Sequence, residues 1–419
     1  MPDRTAPRWF RLPLLILPAA IAAACDGNPV DASQDGDPLP DDQSPFVQLF
    51  TEGERESLLY VWTRDASGSG SDFIAVVDAN PESGSFGDIV GTAPAGSTDN
   101  EAHHFGYSED ASRIYAGGMF SNRIFVYDVA GDDRSLNLAR SVDLASTGFS
   151  GPHTAYAVPG GVLVTMMGGV DGSSEGAIVE LDTAGDVVRV MPAPVHEGRP
   201  VNLYDVTVLP ESNRMLTTGL AHHAHLAHGP PAPEQIGNQV VVWNWQTREV
   251  TQIAGIDAGA AVLRPMRGAG ETGGFVNALF GNSIWYWDEA DDGTLAFERV
   301  IQLPEGSLPA DMRISPDDRY LFVSLWAGGK VQQYDITDPR NPSLVGEVEL
   351  PQPNMMRLSP DGQRLYVTNS LLSSLDGEVQ FGAWLLHVSS TGLTKDPDFN
   401  PDFQGFAGGR AGPHDMLLR

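Results

Sequence analysis

Histidine carries the most chemical promise in this chain. Four of its ten histidines sit in short polar contexts: Asn100-Glu-Ala-His103-His104, Gly151-Pro-His153-Thr and Gly412-Pro-His414-Asp. A neutral imidazole is a borderline-soft ligand suited to copper, zinc, iron or nickel. Several imidazoles with no carboxylate among them favour copper or zinc over calcium or magnesium. Glu101 and Asp415 flank the histidines and are placed to orient a ring N–H, which fixes the tautomer a ligand needs. A second cluster, His222, His223, His225 and His228, is irregularly spaced. It fits a polar mobile loop first, and a metal-capture loop or a lid bearing extra ligands second. Asp311 is a candidate base or partner of a buried water, and Met355 a soft ligand or channel filler. His196 and His387 fall outside the pattern and read as structural. The chain shows no nucleotide-binding glycine loop, no nucleophile elbow and no paired-cysteine motif.

These side chains meet only if a repeat brings them together, and the chain contains one, with a period of about 45 to 60 residues, the range of propeller blades. The clearest unit runs from Asp311 through Ser315-Pro-Asp-Asp, Arg319-Tyr-Leu-Phe-Val-Ser, Lys330-Val-Gln-Gln-Tyr-Asp335 and Ser343 to Leu350. The next starts at Met355 and turns at Ser359-Pro-Asp-Gly. In both, proline presets φ for a tight turn between two short strands. Weaker copies start at His104, His153 and Tyr204, and another passes through Gly274-Phe-Val-Asn-Ala, which makes six units. The ends supply a seventh. Pro413 to Arg419 is a first strand with nothing after it, and Ser57 to Trp62 and Phe73 to Asp78 are later strands with no first strand before them. The expected fold is an all-β, seven-bladed β-propeller over residues 51–419. It is closed by pairing of the C-terminal strand with the N-terminal strands, which removes the free sheet edges.

In a propeller the first strand of each blade lines the central channel. Its first residue, read round the ring, gives His104, His153, Tyr204, a residue near Met266, Asp311, Met355 and His414. Three of the seven are histidine, in blades adjacent in space, and His103 adds a fourth imidazole. Ligands drawn from separate rigid strands hold geometry well, as a redox metal requires. The His222–His228 cluster follows the second strand of the unit that starts at Tyr204, on the same face as this mouth.

The N-terminus has a different composition. Arg4, Arg8 and Arg11 precede an apolar run, Leu12 to Ile21, too short to span a bilayer permanently. Ala22-Ala-Ala-Cys25 follows and resembles a bacterial lipoprotein signal, with Ala22 where leucine is commoner. Cys25 is the chain's single cysteine, so no internal disulfide exists. The expectation is a signal over residues 1–24, lipidation of Cys25, and an acidic, disordered tether over residues 25–50. The protein would then be extracytoplasmic, periplasm-facing or at the cell surface, held to a bacterial membrane only through its lipid. The formal charge of −30 argues against nucleic acid and anionic membrane surfaces as partners and favours solubility.

The histidine segments together resemble the selenium-binding protein / methanethiol oxidase family. Asn100 to His104 is similar to that family's Glu-Leu-His-His, Gly151-Pro-His153-Thr to its Leu-His-Thr, and Gly412-Pro-His414-Asp to its Ala-His-Glu. Gln239-Val-Val-Val-Trp-Asn-Trp-Gln resembles its Val-Trp-Asp-Trp-Gln stretch, and the segments from Ser315, Gln333 and Arg364 also match. The resemblance implies copper on His103, His104, His153 and His414. It also implies a small-thiol substrate: methanethiol, O2 and water giving formaldehyde, hydrogen sulfide and hydrogen peroxide. One departure is the cysteine content. The family often carries a Cys-x-x-Cys region and a cysteine proposed to hold selenium, and this domain has neither. Three function classes follow, in this order: a copper-dependent thiol oxidase, a non-catalytic copper-binding or metal-handling surface lipoprotein, and a lactonase-type propeller enzyme.

Overall fold

In the computed structural model, residues 38–40, 44–51, 53–68, 70–268, 273–405 and 409–419 are described. The expected signal, Cys25 and most of the tether lie outside them. Seven four-stranded antiparallel sheets follow one another along the chain. Blade 1 joins the two ends: its inner strand Ala411–Leu418 pairs with Leu58–Asp65, followed outward by Phe73–Asp78 and Ile89–Pro94. Blades 2 to 7 follow in sequence, with inner strands Ala102–Tyr107, Phe149–Val158, Leu203–Leu209, Ala260–Pro265, Pro309–Ile314 and Met356–Leu358. The ring closure expected from the unpaired ends is therefore present. Leu59 faces Leu418 across the seam, and the Leu58 N–H donates to the Arg419 carbonyl at 2.8 Å.

The sequence patterns follow from the layering. A middle strand is covered on both faces by neighbouring blades, so Phe73–Asp78 is buried throughout and reads as a continuous apolar run. An outer strand has one wet face, so most of Leu136–Asp143 is exposed. The turn from first to second strand repeats one device. Ser108, Ser315 and Ser359 each donate their hydroxyl to the aspartate two residues on, at 2.7, 2.6 and 2.6 Å. The short side chains thereby satisfy the tight turn locally.

The folded body starts earlier than the expected boundary at residue 51. Pro38–Pro40 pairs with Gln48–Thr51, the Ser44 hydroxyl donates to the Ala157 carbonyl at 2.9 Å, and Val47 is buried in the core between blades 1 and 2. The Pro/Asp-rich composition of this segment hid a few apolar anchors that pack beneath the blades. Among the described residues no helix is long and apolar enough to cross a membrane.

Candidate metal centre

Six of the seven inner strands carry a β-bulge at one level, where two inner-strand residues oppose one residue of the second strand. A bulge re-aims side chains, here two per blade. The first bulge position holds His414, His103, His153, Tyr204, Ala261 and Ala310 in blades 1 to 6; the second holds Asp415, His104, Thr154, Asp205, Val262 and Asp311. This corrects the repeat frame read from the sequence. The true equivalent of His153 and His414 is His103, with His104 one place on. Met266 lies past the end of its inner strand, and Ala261 and Val262 take that level. The extra residue of the bulge is invisible to a strictly periodic reading.

All four histidines named from the sequence are brought together and are no more than 6% exposed. Ring centroids of His103 lie 4.6, 4.8 and 3.8 Å from those of His104, His153 and His414. Ligating nitrogens of His103, His104 and His153 all fall within 4.8 Å of one another. The proton positions follow from the partners. His104 Nδ1 faces the Asp415 carboxylate at 3.1 Å, and His414 Nδ1 faces the Ser370 carbonyl at 2.7 Å. The carboxylate and the carbonyl only accept, so each Nδ1 carries the proton and each Nε2 presents its lone pair; the Asn354 side-chain amide also lies 3.2 Å from His414 Nδ1. His153 Nδ1 lies 3.1 Å from the Thr154 hydroxyl, whose own hydrogen is directed to the Tyr204 carbonyl or Asp205; the same tautomer results. His103 Nδ1 and the Nε2 atoms of His104, His153 and His414 are buried without a hydrogen-bond partner. Orphaned imidazole nitrogens gathered in a buried site, His103, His104 and His153 within ligand reach of one another and His414 stacked on His103, are what a borderline-soft cation satisfies.

Burial, reinforced by the neighbouring imidazoles, holds His103 and His153 well below the ordinary 6.5 and His414 at about 3. They stay neutral, as ligands must. Burial works to raise the Asp415 carboxyl, but the His104 hydrogen bond and the Arg357 and Arg313 charges outweigh it and keep it ionised.

The other candidates are placed differently. Glu101 does not touch a ring; it accepts from the Ser373 N–H at 3.0 Å and from the Ser373 hydroxyl, beside Arg64 at 3.7 Å. It fastens a loop of blade 7, and burial raises its carboxyl to about 6. Asp311 is fully buried between Arg264 at 2.8 Å and Arg313 at 3.1 Å and accepts from the Met356 N–H at 2.8 Å, so it is a structural counter-ion rather than a free base. Met355 lines, with His104, His153, Tyr204 and Arg264, a cavity of 30 Å³ beneath the imidazoles. His387 is exposed and paired with Asp396 at 2.8 Å, and His196 lies in a two-residue outer strand. The His222–His228 segment is more ordered than a mobile loop: His223–Leu226 forms a helical turn capped by His222.

On the opposite half of the ring the first bulge positions are Tyr204, Ala261 and Ala310, with Val262 beside Ala261. Tyr204, Ala261, Val262 and Ala310 join Met119, Met167, Leu226, Leu371 and Trp326 in one apolar cluster over the mouth. Tyr204 packs against His153 with ring centroids 3.7 Å apart and planes tilted by 37°.

A set of residues that sequence reasoning missed locks this geometry. Thr165, Thr218, Asn277 and Ser324, each opposite a bulge, accept the N–H of Thr154, Asp205, Val262 and Asp311 at 3.0, 3.0, 2.5 and 2.9 Å. Thr165, Thr218 and Asn277 then donate to the inner strand of the next blade and Ser324 to the Asn354 carbonyl just before it, as Thr368 does to the His414 carbonyl. Their signal was present: one hydroxyl or amide recurring at a fixed place in otherwise apolar second strands.

The 56 kDa selenium-binding protein family matches residues 38–419 of this chain, from the pairing that opens the folded body to the strand that closes it. The chain belongs to that family. Relatives with the family fold include a methanethiol oxidase of Ruegeria pomeroyi, 29% identical over 88% of this chain and 91% of that protein, and a methanethiol oxidase of Xenopus tropicalis, 29% identical over 87% and 93%. The solved structure of a hypothetical selenium-binding protein from Sulfolobus tokodaii superposes with a TM-score of 0.79 at 25% identity, covering 91% of this chain and 96% of that one. A periplasmic gluconolactonase of Pseudomonas aeruginosa, at 13% identity and a TM-score of 0.61 over 86% and 98%, shares the propeller fold alone. The described residues contain no cysteine, so a thiolate–selenium bond has no ligand among them.

Proposed function

We propose that this protein is a copper-dependent oxidase of a small thiol, with methanethiol as the substrate: methanethiol, O2 and water give formaldehyde, hydrogen sulfide and hydrogen peroxide. The observation that carries the reading is the set of four buried, unpartnered imidazole nitrogens, those of His103, His104 and His153 offering ligand atoms within 4.8 Å of one another, with the Nδ1 protons of His104, His153 and His414 taken up by neighbouring acceptors. Copper bound there would supply one-electron redox chemistry toward O2. The chain's own residues do the rest. His103, His104, His153 and His414 hold the ion, Asp415 and the Ser370 carbonyl fix two tautomers, and the apolar half-ring of Tyr204, Ala261, Val262 and Ala310 accepts a methyl group and excludes bulk water. A mouth half imidazole and half apolar suits a substrate that is itself half sulfur and half methyl. The methanethiol oxidases among the relatives support the same substrate class. We further propose export and anchoring through lipidated Cys25, on the composition of the first 25 residues.

Copper quantified in wild type, His153→Ala, His414→Ala and His387→Ala tests the metal, and an oxygen electrode with methanethiol tests the turnover. Wild type and His387→Ala should carry one copper and consume O2; the two ligand variants should lose at least ~10-fold in metal affinity and the activity with it. Equal copper in all four, or zinc and no copper in protein matured with copper available, overturns the reading. Copper without O2 uptake leaves a metal-handling protein in its place.

A further inference from the structure

Two connections over the mouth are longer than the rest. Between second and third strands five blades spend four to seven residues, as in 119–122 and 170–176, whereas blade 4 spends 220–238 and blade 7 spends 369–382. In a ring of seven these two blades stand across the channel from each other, and their connections meet over it. Leu226 from one and Leu371 and Leu372 from the other are at most 8% exposed and share one apolar cluster with Tyr204, Val262 and Ala310 of the bulge level. Each connection is fastened to its own side. His222 Nε2 donates to the Gly169 carbonyl of blade 3 at 3.0 Å, and its Nδ1 accepts from the Ala224 N–H at 3.1 Å. Blade 3 is cut away to seat this ring, since a Cβ on Gly168 would lie 2.0 Å from His222 Cδ2. Opposite, Asp376 accepts from the Leu371 N–H at 2.6 Å, from the Ser370 hydroxyl at 2.8 Å and from Arg64 of blade 1 at 2.8 Å. The Ser373 N–H donates to Glu101, beside the inner strand of blade 2, at 3.0 Å. Between the two connections, among the described residues, a single hydrogen bond runs from the Ser374 hydroxyl to the Leu226 carbonyl at 2.6 Å.

We propose that connections 220–238 and 369–382 are the two leaves of a lid that parts at the Leu226–Ser374 seam to admit the substrate and, when shut, limits the length of its alkyl group. The inference deepens the thiol reading and rests on it. The four central histidines are no more than 6% exposed, so a reactant reaches them through a local opening. The seam is the place for that opening. One hydrogen bond and apolar contact join the leaves there, whereas a charge-assisted network and a seated imidazole hold each leaf to its own side. The cavity beneath the imidazoles is a poorer entrance for an apolar thiol, because Asp205 and Arg264 line it. Shut, the lid lays leucine side chains over the level that carries the imidazoles and keeps water out. A longer alkyl chain needs the room those leucines fill, and one methylene in an apolar pocket is worth about 10–200-fold in discrimination.

The test uses the full chain. In its metal-free form, carbethoxylation of His103, His104, His153 and His414 by diethyl pyrocarbonate is followed by peptide mass, with exposed His387 as the internal reference. Ser374→Ala removes the seam bond and should speed the central four about 5-fold, the worth of one hydrogen bond, with His387 unchanged. Ala227→Cys/Ser374→Cys, bridged by a cleavable bis-maleimide, should slow them at least ~10-fold until the bridge is cut. The described residues contain no cysteine to compete. In the copper-loaded form, kcat/KM is compared for methanethiol and 1-propanethiol. Leu226→Ala should raise the propanethiol-to-methanethiol ratio at least ~10-fold, while Ser374→Ala keeps the wild-type ratio. A loosened fold alone lowers both substrates together. Equal carbethoxylation rates in wild type, Ser374→Ala and the bridged chain, or an unmoved ratio in folded, copper-replete Leu226→Ala, overturns the proposal. A wild type that oxidises no thiol refutes the substrate reading instead, and the carbethoxylation rates then decide the lid by themselves.

Discussion

Asp415→Asn isolates the geometry of the metal centre from its ligands. The Asp415 carboxylate serves two donors with opposite oxygens: His104 Nδ1–H at 3.1 Å on Oδ2 and the Met416 N–H at 2.8 Å on Oδ1. An amide of the same size has one acceptor oxygen. If the asparagine keeps Met416, its NH2 group confronts His104 Nδ1–H, and the imidazole escapes only by moving its proton to Nε2, where the lone pair is needed for the metal. If the amide flips, Met416 N–H is left buried and unpaired. Loss of such a supporting partner typically costs ~10–100-fold in metal affinity, or about 1.4–2.7 kcal/mol. The change also removes a buried negative charge near Arg313 and Arg357, so the melting temperature should fall as well. Thr154→Val supplies the comparison, because His153 is supported by neutral groups, the Thr154 hydroxyl at 3.1 Å and the Tyr204 backbone; about 1 kcal/mol is expected there. Competition titration against a chelator of known affinity reads both. Wild-type affinity in Asp415→Asn, or equal losses in the two variants, would falsify the tautomer argument.

Three further outcomes are expected. The metal-free protein should lose stability as pH falls below about 6.5: the unfolded chain takes up protons there while His103, His153 and His414 stay neutral in the fold, which costs up to ~1.4 kcal/mol per pH unit for each imidazole. Glu101, raised to about 6, works in the opposite sense between its two values and offsets part of this. A series of chemical melts from pH 7 to 4 checks the sign, and a flat profile refutes it. Removing residues 411–419 strips blade 1 of its inner strand and the centre of His414, so the whole domain should melt earlier by calorimetry; an unchanged transition contradicts the closure. Cys25→Ala should shift the protein from the membrane fraction to the soluble one or leave it unprocessed, and unchanged fractionation rejects the proposed anchor.

The blade count and the ring closure were legible because each rests on local chemistry: Ser-Pro-Asp turns at 315 and 359, and apolar middle strands such as Phe73–Asp78. The four candidate ligands were legible because histidine at one repeat level is rare by chance. The off-by-one at His104 was not, since the bulge that pairs His103 with His104 depends on the opposing residue Gly117, a cross-strand fact. Asp415 could be assigned to a ring because it adjoins His414, yet the ring it supports is His104 of the next blade. Glu101 looks equivalent in sequence and instead holds Ser373, because its backbone takes a positive φ of 56° that points the carboxylate away from the rings. The segment from Ser44 to Thr51 was hidden by the Pro/Asp-rich stretch that precedes it, although its four apolar residues sufficed to dock it.

The seam of the ring has a consequence for how the molecule ages. His414 sits on the strand that zips the two ends together, and His103, His104 and His153 sit on the next two blades. An ion held by all four is therefore a clasp across the one joint of the circle made by distant parts of the chain. Occupancy would tighten that clasp by about 2.7 kcal/mol at a hundredfold excess over its dissociation constant. Fraying at residues 411–418, and the proteolytic nicking that follows fraying, would then report whether the protein has lost its metal long before the blades themselves unfold.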